Sequence, residues 1–190
     1  MKSPFLMLFP LTLVTLMILS LGGCASTAPE NDNAKQTLDQ QVQGTIQDFK
    51  TTDPSMQKFF DNAAGYAVFP AITAGALIVG GANGNGELFE SGQMTGYCSM
   101  TQGNIGAQIG GQSYAEIIFF ENASPLAEFK SGQTTFDARA TAVAASAGAG
   151  TTAAYQHGVL IFTKPQGGLM AQAAVGGQSF KFVPLSSTSP

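Results

Sequence analysis

Asp53-Pro54-Ser55-Met56-Gln57-Lys58-Phe59-Phe60-Asp61-Asn62-Ala63-Ala64-Gly65-Tyr66-Ala67-Val68-Phe69-Pro70 is the stretch in which the chain changes its period, and the change decides the fold class. Asp53 followed by Pro54 has the order of an N-cap and a first-turn proline; Met56, Phe59, Phe60 and Ala63 then share one helical face, and Gly65 stands where a helix would end. From Tyr66 the apolar spacing is no longer helical, and residues 66–69 read as a strand stopped by Pro70.

Backwards from this point, Leu38, Val42, Ile46 and Phe49 recur at helical spacing, with Gln36, Asp39, Gln40, Gln43, Gln47 and Asp48 between them. This predicts an amphipathic helix over about four turns, weakened by Gly44. Forwards, residues 72–79, a strand around Tyr97, residues 105–112, 114–120, 159–163, 169–175 and 180–183 read as strands. Asn83-Gly84-Asn85-Gly86 reads as a hairpin turn, because Asn-Gly pairs supply positive φ. Ser124-Pro125 looks like a cap and N1 pair before a short helix with Leu126 and Phe129 inward and Gly132 at its end. Residues 138–154 are nearly all Ala, Gly, Ser and Thr and carry no readable period. Glycines inside strands permit bulges and close backbone approach. The resulting expectation is an α+β fold: a strongly curved, barrel-like antiparallel sheet of short Gly-rich strands, with N-terminal helices and one short inserted helix. It forms a single domain over 37–183, followed by a disordered tail at 184–190.

The N-terminus carries a separate signal. Lys2 precedes an almost wholly apolar run that ends in Leu21-Gly22-Gly23-Cys24, and a small, polar stretch follows. Pro4, Pro10 and the missing basic stop-transfer cluster speak against a transmembrane helix. The segment resembles a bacterial lipoprotein signal over 1–23, which implies a covalent lipid anchor on Cys24 and a flexible tether over 24–36. Ala25, where an inner-membrane retention signal would place Asp, favours the outer membrane, with the domain facing the periplasm of a bacterial cell envelope.

Composition narrows the function. The chain has 8 Lys plus Arg against 12 Asp plus Glu, a net charge of −4, and its cations are scattered. That balance excludes a phosphate-neutralising surface and hence nucleic acid as a partner. With Cys24 lipidated, Cys98 has no disulfide partner and reads as a buried strand thiol. His157 is the one histidine and has no ligand-spaced companion, so neither a metal site nor a cofactor is expected. Glu87, Glu90, Glu116, Glu121, Glu128 and Asp137 are spread out and read as solvated strand ends. No nucleophile elbow or P-loop is present, and Gly80 to Gly86 lacks the Gly-Lys-Ser/Thr ending. The expectation is a protein without catalytic residues.

With these residues placed, the chain resembles the SYLF domain family from about Met56 to Phe182. The resemblance rests on Gly65-Tyr66-Ala67-Val68-Phe69-Pro70 and on Gly75, Gly80, Gly81, Gly84 and Gly86. It continues through Gly106-Ala107-Gln108-Ile109-Gly110-Gly111-Gln112 and the apolar run 117–120 ahead of Leu126 and Phe129. It implies binding of membrane lipids, with Leu38, Val42, Ile46, Phe49 and Lys50 as candidate contacts. It assigns Gly65, Tyr66, Phe69, Pro70, Gly106, Gln108, Gly110 and Gln112 to the family motif. The N-terminal helical stretch carries only Lys35, Lys50 and Lys58 against Asp39, Asp48, Asp53 and Asp61, so attraction to anionic lipid would be slight. The alternative is a structural lipoprotein whose Gly-rich sheet edges pair with an envelope protein. A membrane-spanning barrel fits poorly, because the long uncharged stretches do not alternate.

Overall fold

Asn31 caps the first helix, its side chain accepting from the Ala34 N–H at 2.9 Å, and Asp32 in the first turn pairs with Lys35 at 2.9 Å. The cap and the first-turn acid both favour helix, so α1 runs Asp32–Thr52 and begins inside the stretch expected to be tether. The computed structural model describes residues 28–75, 81–103, 112–132, 134, 142–166 and 177–185. Asp53 caps a 3-10 turn, Pro54–Met56, through Ser55, as the sequence implied; α2 follows as Gln57–Asn62. This helix stops before Gly65, which instead opens the sheet.

The strands are β1 Gly65–Gly75, β2 Gly81–Glu90, β3 Gln93–Gly103, β4 Gln112–Phe120, β5 Val143–Ala144, β6 Val159–Pro165 and β7 Gln178–Pro184, with α3 Ala123–Lys130 and α4 Ala149–Thr152 between β4 and β6. Among the described residues they form one sheet in the order β5-β6-β4-β1-β2-β3-β7. All neighbours are antiparallel except the parallel β5–β6 pair. The α+β reading holds, with three differences: the sheet is mixed, it is curled without closing, and β1 and β3 are 11 residues long rather than short.

Several local expectations yield to pairing. Pro70 does not stop β1. The register shifts between Val68 and Ala71 against β2, and between Phe69 and Ile72 against β4, so the missing N–H falls at a bulge. Asn83-Gly84-Asn85-Gly86 is not a turn but the middle of β2, paired with β1 and β3. There Gly86 serves close approach: a Cβ would lie 2.2 Å from the Val68 carbonyl oxygen. The β2–β3 turn is made by Ser91 (φ 52) and Gly92 (φ 76), the signs a type I′ hairpin needs. Asn122, not Ser124, caps α3. Pro184 and Leu185, expected in a disordered tail, are held instead, since Pro184 pairs with Gly96 and the Leu185 N–H donates to Thr95; residues 186–190 lie outside the described residues. Of the strand expected over 105–112 only Gln112 is described, where it opens β4; the strand expected over 169–175 and the end of the one over 72–79 lie outside the described residues.

Both faces of the sheet are covered. One carries Tyr66, Val68, Phe89, Ile117, Phe119, Leu160 and Phe162 and packs under α1, the 3-10 turn and α2. The other carries Phe69, Ile72, Leu88, Cys98, Met100, Ile118, Phe120 and Phe180 and curls around Leu126 and Phe129 of α3.

Candidate functional site

The amphipathic stripe of α1 is spent on the sheet. Leu38, Val42, Ile46 and Phe49 are all buried among Tyr66, Val68 and Phe119. With α1 seated, none of the four reaches a surface, so membrane contact through them requires the helix to leave the sheet. Lys50 is half-buried, with its ammonium 4.4 Å from the centre of the Phe60 ring. Among the described residues no helix is long and apolar enough to cross a membrane.

The family-motif residues divide between the two faces. Tyr66 stacks on Phe89 under the helices, with centroids 5.1 Å apart and planes at 10°. Phe69 points to the interior, 5.8 Å from Phe180. Pro70 sits at the bulge and its carbonyl accepts from the Gln166 side chain, while Gly65 lies between Phe89 and Leu126. Gln112 opens β4 opposite Ala74. Gly106, Gln108 and Gly110 lie outside the described residues, as do Cys24 and Asp137.

Two acids read as solvated strand ends are in fact buried. Glu87 is 1 % exposed and Glu116 fully buried. Glu87 opposes Val68 and Tyr97, on the face that α1 covers. Burial, and then the charge of Asp39 on α1, push its carboxyl up to about 7. Glu116 opposes Phe69 and Thr163 on the interior face. Burial pushes it up to about 7 as well, against a hydrogen bond from Gln178 that favours the ionised form. Among the described residues, Glu87 Oε2, Glu116 Oε1 and Gln178 Oε1 are buried without a hydrogen-bond partner. The sequence holds a trace of Glu116: in Tyr114-Ala115-Glu116-Ile117-Ile118-Phe119-Phe120 it takes the alternate position shared by Tyr114, Ile118 and Phe120. In a strand apolar on both sides, that parity marks an inward acid. Glu121 and Glu128 are exposed, and Glu90 pairs with Lys130 at 2.7 Å.

Asp53 is a third buried acid with a different environment. Its carboxylate accepts from Ser55 N at 3.0 Å, Ser55 Oγ at 2.7 Å and Gly150 N at 2.6 Å. Burial alone would raise it, but the bonds from Gly150, Ser55 and Gly148 outweigh burial and hold it below the ordinary range. It ties α4 to the helix junction, a structural role.

Cys98 is fully buried on the interior face, where burial pushes its thiol well up, with the Glu87 charge adding to the effect; such a thiol is a poor nucleophile. His157 is exposed at positive φ in the turn before β6. No group of three or more His, Cys, Asp or Glu could hold a metal ion among the described residues.

Comparison with known proteins gives a distant similarity. No profile of a known protein family matches the chain. Over 129 residues, 67% of its length, the chain is 30% identical to Beta cell expansion factor A of Aeromonas veronii. It spans about half of that protein, 49%.

Proposed function

We propose that this chain is a non-enzymatic, SYLF-like lipid-binding lipoprotein, anchored through Cys24 in a bacterial cell envelope with its domain facing the periplasm. The observation that carries the reading is Leu21-Gly22-Gly23-Cys24 placed just ahead of a helix that starts at Asp32. A lipid on Cys24 would hold the first turn of α1 within a short tether of the bilayer. The SYLF resemblance supports lipid as the ligand, and the Aeromonas similarity covers two thirds of the chain. The thiol of Cys98, fully buried and pushed well up by burial, and the absence of a ligand-spaced companion to His157 in the sequence support a non-catalytic reading.

The test has two arms. Mass spectrometry of the native protein should show an acylated Cys24 at the mature N-terminus, and Cys24→Ser should abolish processing. A soluble form beginning at Ala25 should then co-sediment with phospholipid vesicles, with little dependence on salt. An unmodified Cys24 would remove the anchor, and failure to bind vesicles would remove the lipid ligand.

A second reading, pairing with an envelope protein, is favoured by one observation. Among the described residues the Gly-rich strand β2 lies inside the sheet and offers no edge. Among the described residues, however, β7 is an edge strand, and Val183 and Leu185, 39% and 42% exposed, lie at its end.

A further inference from the structure

Strand order separates β4 from β7 by β1, β2 and β3. Even so, the Gln178 Nε2 of β7 donates to Glu116 Oε2 of β4 at 3.1 Å and to the Tyr114 hydroxyl at 3.4 Å. The sheet has therefore curled until two of its distant strands touch across the interior, and they touch through polar groups that are fully buried.

The bond inventory of this contact is incomplete by two acceptors. Among the described residues Glu116 Oε1 and Gln178 Oε1 are both buried without a donor. Each belongs to one of the two groups already joined by the Nε2 to Oε2 bond. A carboxylate can only accept, so it cannot serve the amide oxygen; a protonated carboxyl can donate. One proton on Glu116 Oε1, donated to Gln178 Oε1, satisfies both orphans at once and closes a ring of two hydrogen bonds between acid and amide. Leaving both acceptors bare would incur the full cost of burying them.

We propose that Glu116 retains a proton shared with Gln178 Oε1, so that acid and amide form a two-point clasp locking β7 to β4 across the sheet interior, and that the clasp opens when this proton passes to water. The groups facing Glu116 leave it uncompensated if ionised. Among the described residues, β1, β2, β6 and α3 present Phe69, Ile72, Leu88, Ile161, Leu126 and Phe129 on this side, and β3 presents Cys98 and Met100. Besides Glu116 itself, the titratable side chains on this face among the described residues are Tyr114 and Cys98, both with ionisation pushed upward by burial. Lys130 lies at the far end, engaged by Glu90. Burial places the Glu116 carboxyl at about 7, so the clasp would be closed in mild acid and strained above neutrality. β7 is the element it releases, held otherwise by β3 and by the contact of Phe180 with Phe69 and Phe129.

The test is hydrogen exchange of the full chain, read on peptides covering 178–184 between pH 5 and pH 9 and corrected for intrinsic exchange. Protection should fall as pH rises from 5 toward about 7, by up to tenfold per pH unit if one proton is linked to opening, and level off above about 7. Glu116→Gln substitutes an amide pair that cannot titrate, and should keep high, pH-independent protection. Glu87, on the opposite face, remains in that variant, so a transition that persists in Glu116→Gln belongs elsewhere and overturns the proposal. Should Glu116→Gln not fold, carboxyl-carbon NMR of the wild-type protein decides: a Glu116 resonance already ionised at pH 5 overturns the clasp, and a protonated one supports it.

Discussion

Glu87→Gln should stabilise this protein above neutral pH and leave it unchanged in acid. The carboxyl stands at about 7 in the folded chain against a reference of 4.5. A raised acid holds its proton in the native state while the unfolded chain gives it up, so stability falls as pH rises from about 4.5 to about 7 and is level beyond. The span of the shift, at roughly 1.4 kcal/mol per pH unit, corresponds to a penalty of about 3 kcal/mol at pH 8. Local relaxation around an ionised carboxyl reduces such a penalty, so about 1.5 to 3 kcal/mol is the range to expect. Gln matches its shape, carries no charge for Asp39 to repel, and should recover that amount. For a domain of this size the gain is roughly 5 to 10 °C in Tm. Urea denaturation of both proteins at pH 4 and pH 8 tests it: the difference in unfolding free energy should be near zero at pH 4 and largest at pH 8. An equal difference at the two pH values, or a variant less stable at pH 8, would show that Glu87 is ionised and satisfied in the native state, and the reasoning would fail.

Asp53 has the opposite sign. Its carboxyl is held below the ordinary range, so its contribution is complete above about 4 and is lost as pH falls through the folded value; Asp53→Asn should cost about 2 to 3 kcal/mol at pH 7 and less at pH 3, read by chemical denaturation. Gly86→Ala should cost about 3 kcal/mol or more, or abolish soluble expression, because its methyl would meet the Val68 carbonyl across the bulge; a melting temperature within a degree or two of wild type would show that the bulge is soft. Leu38→Asp and Ile46→Asp should each destabilise the fold by roughly 4 kcal/mol or more by burying a charge between α1 and the sheet. If they instead left the melting curve intact and weakened vesicle binding, α1 would be a membrane element and not part of the core.

What the sequence determined by itself is local. The stripe Leu38, Val42, Ile46 and Phe49, the Asp53-Pro54 start, the break in period before Tyr66 and the inward Leu126 and Phe129 all depend on spacing along a few turns, which the backbone reads directly. The partner of each element was decided elsewhere. Pro70 stays inside a strand because two neighbouring strands place a bulge there, and Asn83 to Gly86 stay extended because β1 and β3 pair with them on both sides. Whether an acid at an alternating position faces water depends on which surface is covered, so only the tertiary structure put Glu87 under α1; the parity of β4 marks Glu116 as inward, and the curl decides what it meets there. The contact of Gln178 with Glu116 joins residues 62 apart in sequence. No local propensity encodes such a pair; it exists because a sheet twisted in one sense over many strands brings distant members face to face.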